Sequence, residues 1–322
     1  MIPLLIVDFF NSCNTMQEII SVKNLSKNYP GINAVNDLSF TVYKGDVYGF
    51  LGQNGAGKST TIRMLLTLVK PTTGTIHIFG EDLQKHTKSI LGNIGAVIEK
   101  PDLYKYLSAF ENLRLFSRLS RKKLSQKELM DQLDEVGLAS RAHDKVKTFS
   151  QGMKQRLGIA VALVHDPSLI ILDEPVNGLD PQGIADIRKL IVQLSQQKGK
   201  TILISSHLLN EIEQVATRVL IIDKGKKITE ASAAELFDEA HTIVEIETLD
   251  NLHAMSALRT ANFAASLTNN KLTVQIDKKE IPALNKWLAD NGIAVMAVHP
   301  RHRLEDYFLQ VTSNHHVDTP AI

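Results

Sequence analysis

Apolar positions between Ile19 and Gly80 come in short runs broken by turn residues. Leu38, Phe40 and Val42 alternate with polar residues, the period of a strand with one face buried. Glu18-Ile-Ile-Ser-Val22 reads as an earlier strand and Lys44-Gly45-Asp46 as a turn. Val47 to Leu51 reads as a more apolar strand running into glycines. Gly74 and Gly80 bracket a further strand over Thr75 to Phe79. From Ala109 to about Lys147 the chain is charged and helical in pattern. Phe110, Leu113, Phe116 and Leu119 recur every third residue and predict one helix face, and Gly137 ends a second helix. Beyond Leu169, apolar runs at Leu169 to Leu172, Thr201 to Ser205 and Arg218 to Asp223 alternate with helical segments, which predicts a parallel sheet with crossover helices. After Gly225 the order becomes strand Thr242 to Thr248, helix Leu252 to Ala261, a hairpin over Phe263 to Ile276 turning at Asn269-Asn270, helix Ile281 to Asp290 and strand Ile293 to Val298. That β-α-β-β-α-β order suggests a small ferredoxin-like module, and the tail past Val311 reads as disordered.

At roughly 150 residues per domain, 322 residues suggest two domains. A hydrophobic fraction of 43% with 22% charged residues builds a core and excludes wholesale disorder. Lys+Arg number 36 and Asp+Glu 35, so the formal charge of +1 carries no electrostatic footprint for nucleic acid. The single cysteine, Cys13, excludes an intramolecular disulfide framework and a cysteine-based zinc site. No apolar stretch approaches 18 residues, so no membrane-spanning helix is expected. The opening run Met1 to Phe10 is interrupted by Asp8 and lacks the basic start of a signal peptide. Met16 stands directly before the first strand. Residues 1–15 are therefore either an untranslated leader ahead of a start at Met16 or a short genuine extension.

Two sites of candidate chemistry follow apolar strands. Gly52-Gln53-Asn54-Gly55-Ala56-Gly57-Lys58-Ser59 matches the phosphate-loop pattern G-x-x-x-x-G-K-[ST], placed between a strand and a helical stretch from Thr60 to Val69. Glycines let successive N–H groups turn inward around a phosphate, and the helix N-terminus adds partial positive charge. Lys58 would reach the outer phosphates, with the Ser59 hydroxyl on Mg²⁺ and Thr60 beside it. Leu169-Ile-Ile-Leu172-Asp173-Glu174 sets two carboxylates at a strand's carboxyl end, where ligands of open α/β sheets sit. Asp173 suits Mg²⁺, which takes one or two carboxylates besides phosphate oxygens. Glu174 suits a base that polarises the attacking water.

Three more motifs carry a family resemblance. Thr148-Phe149-Ser150-Gln151-Gly152-Met153 resembles the signature sequence of ABC-type ATPases, Asn177-Gly178-Leu179-Asp180-Pro181 resembles their D-loop, and Ser205-Ser206-His207 their switch histidine. Tyr29 stands where that family has an adenine-stacking aromatic. The resemblance implies an α/β P-loop NTPase with a RecA-like parallel core, an antiparallel β subdomain and a helical subdomain over residues 16–230. A small α+β module would follow at 241–311, with a tail at 312–322. It further implies ATP and Mg²⁺ as ligands, His207 at the γ-phosphate, and ATP sandwiched between one chain's phosphate loop and the Ser150, Gly152 and Asp180 of a second copy. Ser150 has N-cap chemistry for the helix reaching about Leu163. His143, His165 and the pair His315-His316 show no ligand pattern.

Glu99 stands where most ABC ATPases carry glutamine. A carboxylate there meets Mg²⁺ or the water but adds negative charge beside the phosphates. Gln151 and Met153 also depart from the general signature. With Arg156-Leu-Gly-Ile-Ala160, these departures resemble the bacitracin and lantibiotic exporters, and Leu304-Glu-Asp-Tyr-Phe308-Leu resembles ABC-2-type exporter ATPases. The resemblance implies an ATPase subunit that works through a separate membrane permease of about six spans, each of roughly 20 apolar residues. It would sit on the inner face of the cell membrane, meeting the permease from Pro101 onward. Peptide antibiotic, drug, lipid and polysaccharide stay open as cargo. A ribosome- or DNA-directed ABC ATPase is the alternative. It is weakened by the near-neutral charge and by the 91 residues from Ser59 to Ser150, too few for a long coiled coil. A P-loop GTPase is a further alternative, disfavoured by the signature, D-loop and histidine together.

Overall fold

The computed structural model describes residues 16–236, 242–268 and 271–301. The stretch 1–15, the Asn269-Asn270 turn and everything beyond 301, with the Leu304 motif, lie outside the described residues. The chain divides into two compact units, Met1–Glu230 and Ala231–Ile322.

The first unit opens with two twelve-residue strands, β1 (Glu18–Tyr29) and β2 (Ile32–Tyr43). They pair antiparallel with Ile20 opposite Val42, Val22 opposite Phe40 and Leu25 opposite Leu38, so alternation puts one apolar face inward. β3 (Val47–Leu51) follows, then α1 (Lys58–Leu65), β4 (Thr73–Ile78), β5 (Glu81–Asp82), α2 (Thr87–Leu91) and β6 (Ile94–Val97). The helical part holds α3 (Ala109–Leu119), α4 (Gln126–Glu135) and α5 (Gln151–Leu163). Next come β7 (Leu169–Asp173), α6 (Pro181–Gln196), β8 (Thr201–Ser206), α7 (Leu209–Glu213), β9 (Arg218–Asp223) and β10 (Lys226–Ser232), which runs across the boundary after Glu230 and is followed by the short α8 (Ala233–Leu236). The antiparallel sheet runs β2-β1-β4-β5. The larger sheet runs β10-β9-β3-β8-β7-β6, with the strands from β9 to β6 mutually parallel. Every residue of β3, β7 and β8 is buried, which is why they read as unbroken apolar runs.

Two expected helices differ in detail. α1 ends at Leu65 rather than Val69, because Thr67 adopts left-handed backbone (φ 59) and the amides of Leu68 and Val69 fold back onto Arg63 O. The apolar run outlasts the helix and leaves Leu68 exposed. In α3 the every-third-residue face does not hold. Three residues turn a helix 300°, so each step slips 60°, and Leu119 ends half a turn from Phe110, exposed to solvent. The buried side is Ala109, Asn112, Leu113 and Ser117. Ser108 with Glu111 and Ser125 with Glu128 form capping boxes that start α3 and α4. Gly137, at φ 66, follows α4, and the amide of Leu138 returns to Leu133 O at 2.7 Å.

The second unit is β11 (Thr242–Thr248), α9 (Asn251–Thr260), β12 (Ala264–Thr268), β13 (Lys271–Ile276), α10 (Ile281–Asp290) and β14 (Val295–Arg301). Its antiparallel sheet has the order β12-β13-β11-β14. Val244 and Ile246 of β11, Leu272 and Val274 of β13, Ala254 and Leu258 of α9, and Leu284 and Leu288 of α10 share one core. Asp250 caps α9 by accepting from the amides of Leu252 and His253.

Candidate functional site

The carboxyl ends of β3, β7 and β8 lie side by side, and three functional side chains come from the residues just past them. Gly57, at φ 106, is the last residue before α1 and points its backbone where a side chain would meet Ala34 O at 2.5 Å. The loop is tied from outside: the amide of Gly225 donates to Ala56 O and the amide of Asn36 donates to Gly225 O, both at 2.9 Å. Lys58 opens α1 and is only 5% exposed. Its ammonium curls back under the loop to Gly52 O at 2.6 Å and Gln53 O at 3.1 Å. The same ammonium stands 3.2 Å from Glu174 Oε1. His207 Nδ1 lies 2.8 Å from Glu174 Oε2. An ionised carboxylate only accepts, so this bond places a proton on Nδ1.

Asp173 and Glu174 are set apart by what holds them. Asp173 is 1% exposed and accepts from the Ser205 hydroxyl at 2.6 Å, while its Oδ2 is buried without a hydrogen-bond partner. The Ser205 oxygen in turn accepts from the Glu174 amide at 2.9 Å. Glu174 takes left-handed backbone (φ 49), which turns its side chain off the strand line toward Lys58 and His207. Behind them Glu211 accepts from the Ser206 hydroxyl at 2.9 Å, and burial raises its pKa above the ordinary carboxylate value.

A cleft of about 340 Å³ covers this apparatus, lined by Gln53, Asn54, Gly55, Gly57, Lys58, Ser59 and Thr60 with Glu174. Ala56 is buried beneath the loop, and Gly52 packs against Ile222. Ile32, Asn33, Ala34 and Lys224 complete the lining and were not anticipated. Their sequence signals were the Pro30-Gly31 and Lys224-Gly225 turns, which mark loops without saying which loops meet. Tyr29, half exposed, pairs across its hairpin with Ile32 at the rim, with Lys27 Nζ 4.9 Å from its ring centroid.

Nine expected residues are not in the lining: Tyr29, Gly52, Ala56, Asp173 and His207 border or underlie it as described, and four others are held in contacts of their own. Glu99, in left-handed backbone and 63% exposed, forms an ion pair with Arg63 of α1. Ser150 caps α5 by accepting from the Met153 amide at 3.2 Å. Asp180 caps α6 by accepting from the Gly183 amide at 3.1 Å. Gly152 stands with its Cβ direction open except for Gly183 Cα at 3.7 Å, so the two capped helix starts are neighbours. Among the described residues no cluster of three His, Cys, Asp or Glu side chains forms a metal site by itself.

The family model described as ABC transporter matches residues 35–177. The bacitracin transport ATP-binding protein BcrA of Bacillus licheniformis is 42% identical over 302 residues, covering 92% of this chain and 98% of that protein. The lantibiotic transport ATP-binding protein SrtF of Streptococcus pyogenes is 42% identical over 212 residues, 66% of this chain and 90% of that protein. Among solved structures, the dimeric ATP-binding cassette MJ0796 bound to ADP and Pi superposes with a TM-score of 0.61 at 27% identity, over 67% of this chain and 99% of that one.

Proposed function

The chain belongs to the ABC transporter family as an ATP-hydrolysing, ATP-binding subunit, and we propose that it drives an exporter of antimicrobial peptides or similar drugs through a separate membrane permease. The observation that carries the catalytic part is the linked trio Lys58, Glu174 and His207 at the carboxyl edge of the sheet. The cargo class rests on the bacitracin and lantibiotic relatives. None of the relatives described above favours a ribosome- or DNA-directed role.

In this reading ATP lies along the phosphate loop with its base against Tyr29. Incoming phosphate draws Lys58 Nζ away from Glu174, which frees that carboxylate to accept a proton from the attacking water. His207 holds Glu174 by Oε2 and fixes which oxygen faces the water. Mg²⁺ fits the donor set: Asp173 Oδ2 is buried without a partner and Ser59 lines the cleft, two hard oxygens beside the phosphates. The ion, when bound, would neutralise phosphate charge. Ser150, Gly152 and Asp180 stand outside the cleft of their own chain, in keeping with service to ATP held by a second copy. In the same reading the chain is a peripheral subunit held on the cytoplasmic face by its permease; no helix among the described residues is long and apolar enough to cross a membrane.

The test is affinity purification of tagged Glu174→Gln from detergent-extracted membranes in Mg-ATP. The variant should bind Mg-ATP, lose steady-state turnover by about 10²-fold or more, as removal of a general base does, and accumulate as a dimer. A permease of about six spans should copurify. Undiminished turnover would remove Glu174 from the mechanism, and ribosomal proteins in place of a permease would overturn the exporter assignment.

A further inference from the structure

A buried pair, Ser206 and Glu211, stands beside His207 and lines no part of the cleft. Successive strand side chains point to opposite faces, and the last two of β8 serve different neighbours. Ser205 reaches β7, where it bonds Asp173 and the Glu174 amide. Ser206 reaches α7. Its hydroxyl donates to Glu211 Oε2 at 2.9 Å and accepts from the Leu208 amide at 3.0 Å. A hydroxyl has one proton, so donation to Glu211 turns a lone pair toward that amide. The bond from Leu208 back to Ser206 closes a serine-type turn, and the residue in its middle is His207. Ser206 O also accepts from the Gly52 amide at 3.3 Å, so one residue ties the histidine turn to the start of the phosphate loop.

Glu211 is itself held firmly. The helix that carries it, α7, lies directly on β3. Ile212 is fully buried there, and a Cβ at Gly49 would collide with it, so the helix has no room to move toward the sheet. The carboxyl lies near enough to His207, Glu174 and Arg188 for their charges to act on it. Burying a carboxylate to accept one hydroxyl bond costs stability, and proteins keep such costs at functional sites.

We propose that Glu211 is a positioning residue for ATP hydrolysis: through Ser206 it fixes the turn that aims His207 Nδ1 at Glu174 Oε2. This rests on the reading of Glu174 as the base that His207 holds. Without the clamp the Ser206 hydroxyl is free to rotate, the turn loosens, and His207 spends part of its time off Glu174. The carboxylate then loses its orientation toward the water. The phosphate loop keeps its own contacts, so nucleotide binding is spared.

Steady-state phosphate release by the full chain tests this, with Glu174→Gln assayed beside it. Glu211→Leu, which cannot accept a hydrogen bond, should lower kcat about tenfold and leave KM for Mg-ATP within about twofold. Glu211→Gln, whose amide oxygen still accepts from Ser206, should restore turnover to within a few-fold of the parent. Ser206→Ala removes the same bond from its other end. It should match Glu211→Leu, the double variant should lose no more than either, and it decides the matter if Glu211→Leu folds poorly. In ring-nitrogen NMR, with His207 assigned by the signal missing from His207→Gln, the parent should show a protonated Nδ1 and Glu211→Leu a mixture of tautomers. A purely structural role would move the unfolding free energy but not that signal. Parent turnover in Glu211→Leu or Ser206→Ala, an equal loss in Glu211→Gln, or an unmoved His207 signal would each overturn the proposal. If Glu174→Gln keeps its turnover, the base assignment falls and this role falls with it. If Glu174→Gln is inactive and Glu211→Leu is not, only the role of Glu211 falls.

Discussion

Glu211 sits behind Glu174 and His207, buried, and its carboxyl is harder to ionise than in the unfolded chain because of that burial. A carboxyl with a raised folded pKa keeps its proton longer in the native protein. Its contribution to stability is therefore present at low pH and falls as pH rises from the unfolded value near 4.5 through the raised one. Gln at this position still accepts from the Ser206 hydroxyl but cannot ionise. Glu211→Gln should raise Tm at pH 8 relative to the parent, with the gain vanishing toward pH 4. A gain independent of pH would assign the effect to packing instead. Glu99 offers a second residue-level test. Its carboxylate is exposed and paired with Arg63, so neutralising it removes only a weak surface ion pair. Glu99→Gln should keep ATP hydrolysis within a few-fold of the parent in a coupled phosphate-release assay, and complete loss of turnover would show the carboxylate to be essential. At this scale the place of a residue was legible wherever its motif is local in the chain. Lys58, Ser59, Asp173 and Glu174 could be read because their neighbours along the backbone define the motif. Ser205, which bonds both Asp173 and the Glu174 amide, could not, because its role exists only once β7 and β8 are paired.

Elements were legible in proportion to how completely their periodicity expresses burial. β3, β7 and β8 are buried throughout and read as apolar runs, and the capped start of α5 was visible in Ser150. α3 and α1 were misread in detail, since a three-residue recurrence drifts around a helix and an apolar run outlives one. The α5 start carries its own prediction. Ser150 accepts from the Met153 amide, and losing an N-cap costs about 1 kcal/mol. Ser150→Ala should lower the urea-unfolding free energy by about that amount while leaving Mg-ATP affinity of the monomer unchanged, because Ser150 does not line its own chain's cleft. In a Glu174→Gln background it should also weaken the ATP-dependent dimer, measured by size-exclusion chromatography with light scattering. Weaker ATP binding by the isolated monomer would place Ser150 in its own chain's site.

Among the described residues, each of the two units has a hydrophobic cluster of its own. Ile20, Leu38, Phe50, Ile62 and Leu203 belong to the first, and Val244, Leu258, Val274 and Leu288 to the second. Every residue around the nucleotide cleft belongs to the first unit. A ligand that binds only the folded first unit stabilises that unit by mass action, about 2.7 kcal/mol at a hundred times its dissociation constant. For a unit of about 200 residues, where 1 kcal/mol moves Tm by roughly 2–4 °C, the shift is roughly 5–11 °C. Scanning calorimetry of Glu174→Gln, which should hold ATP without consuming it, should therefore resolve two transitions. Mg-ATP should move one of them by that amount and leave the other where it was. If a single transition moved as a whole, the second unit would be coupled to the ATPase and positioned to report or control nucleotide occupancy. If two transitions appear and only one moves, the β11 to β14 unit folds on its own account, and its role must be sought in what it binds rather than in what it senses.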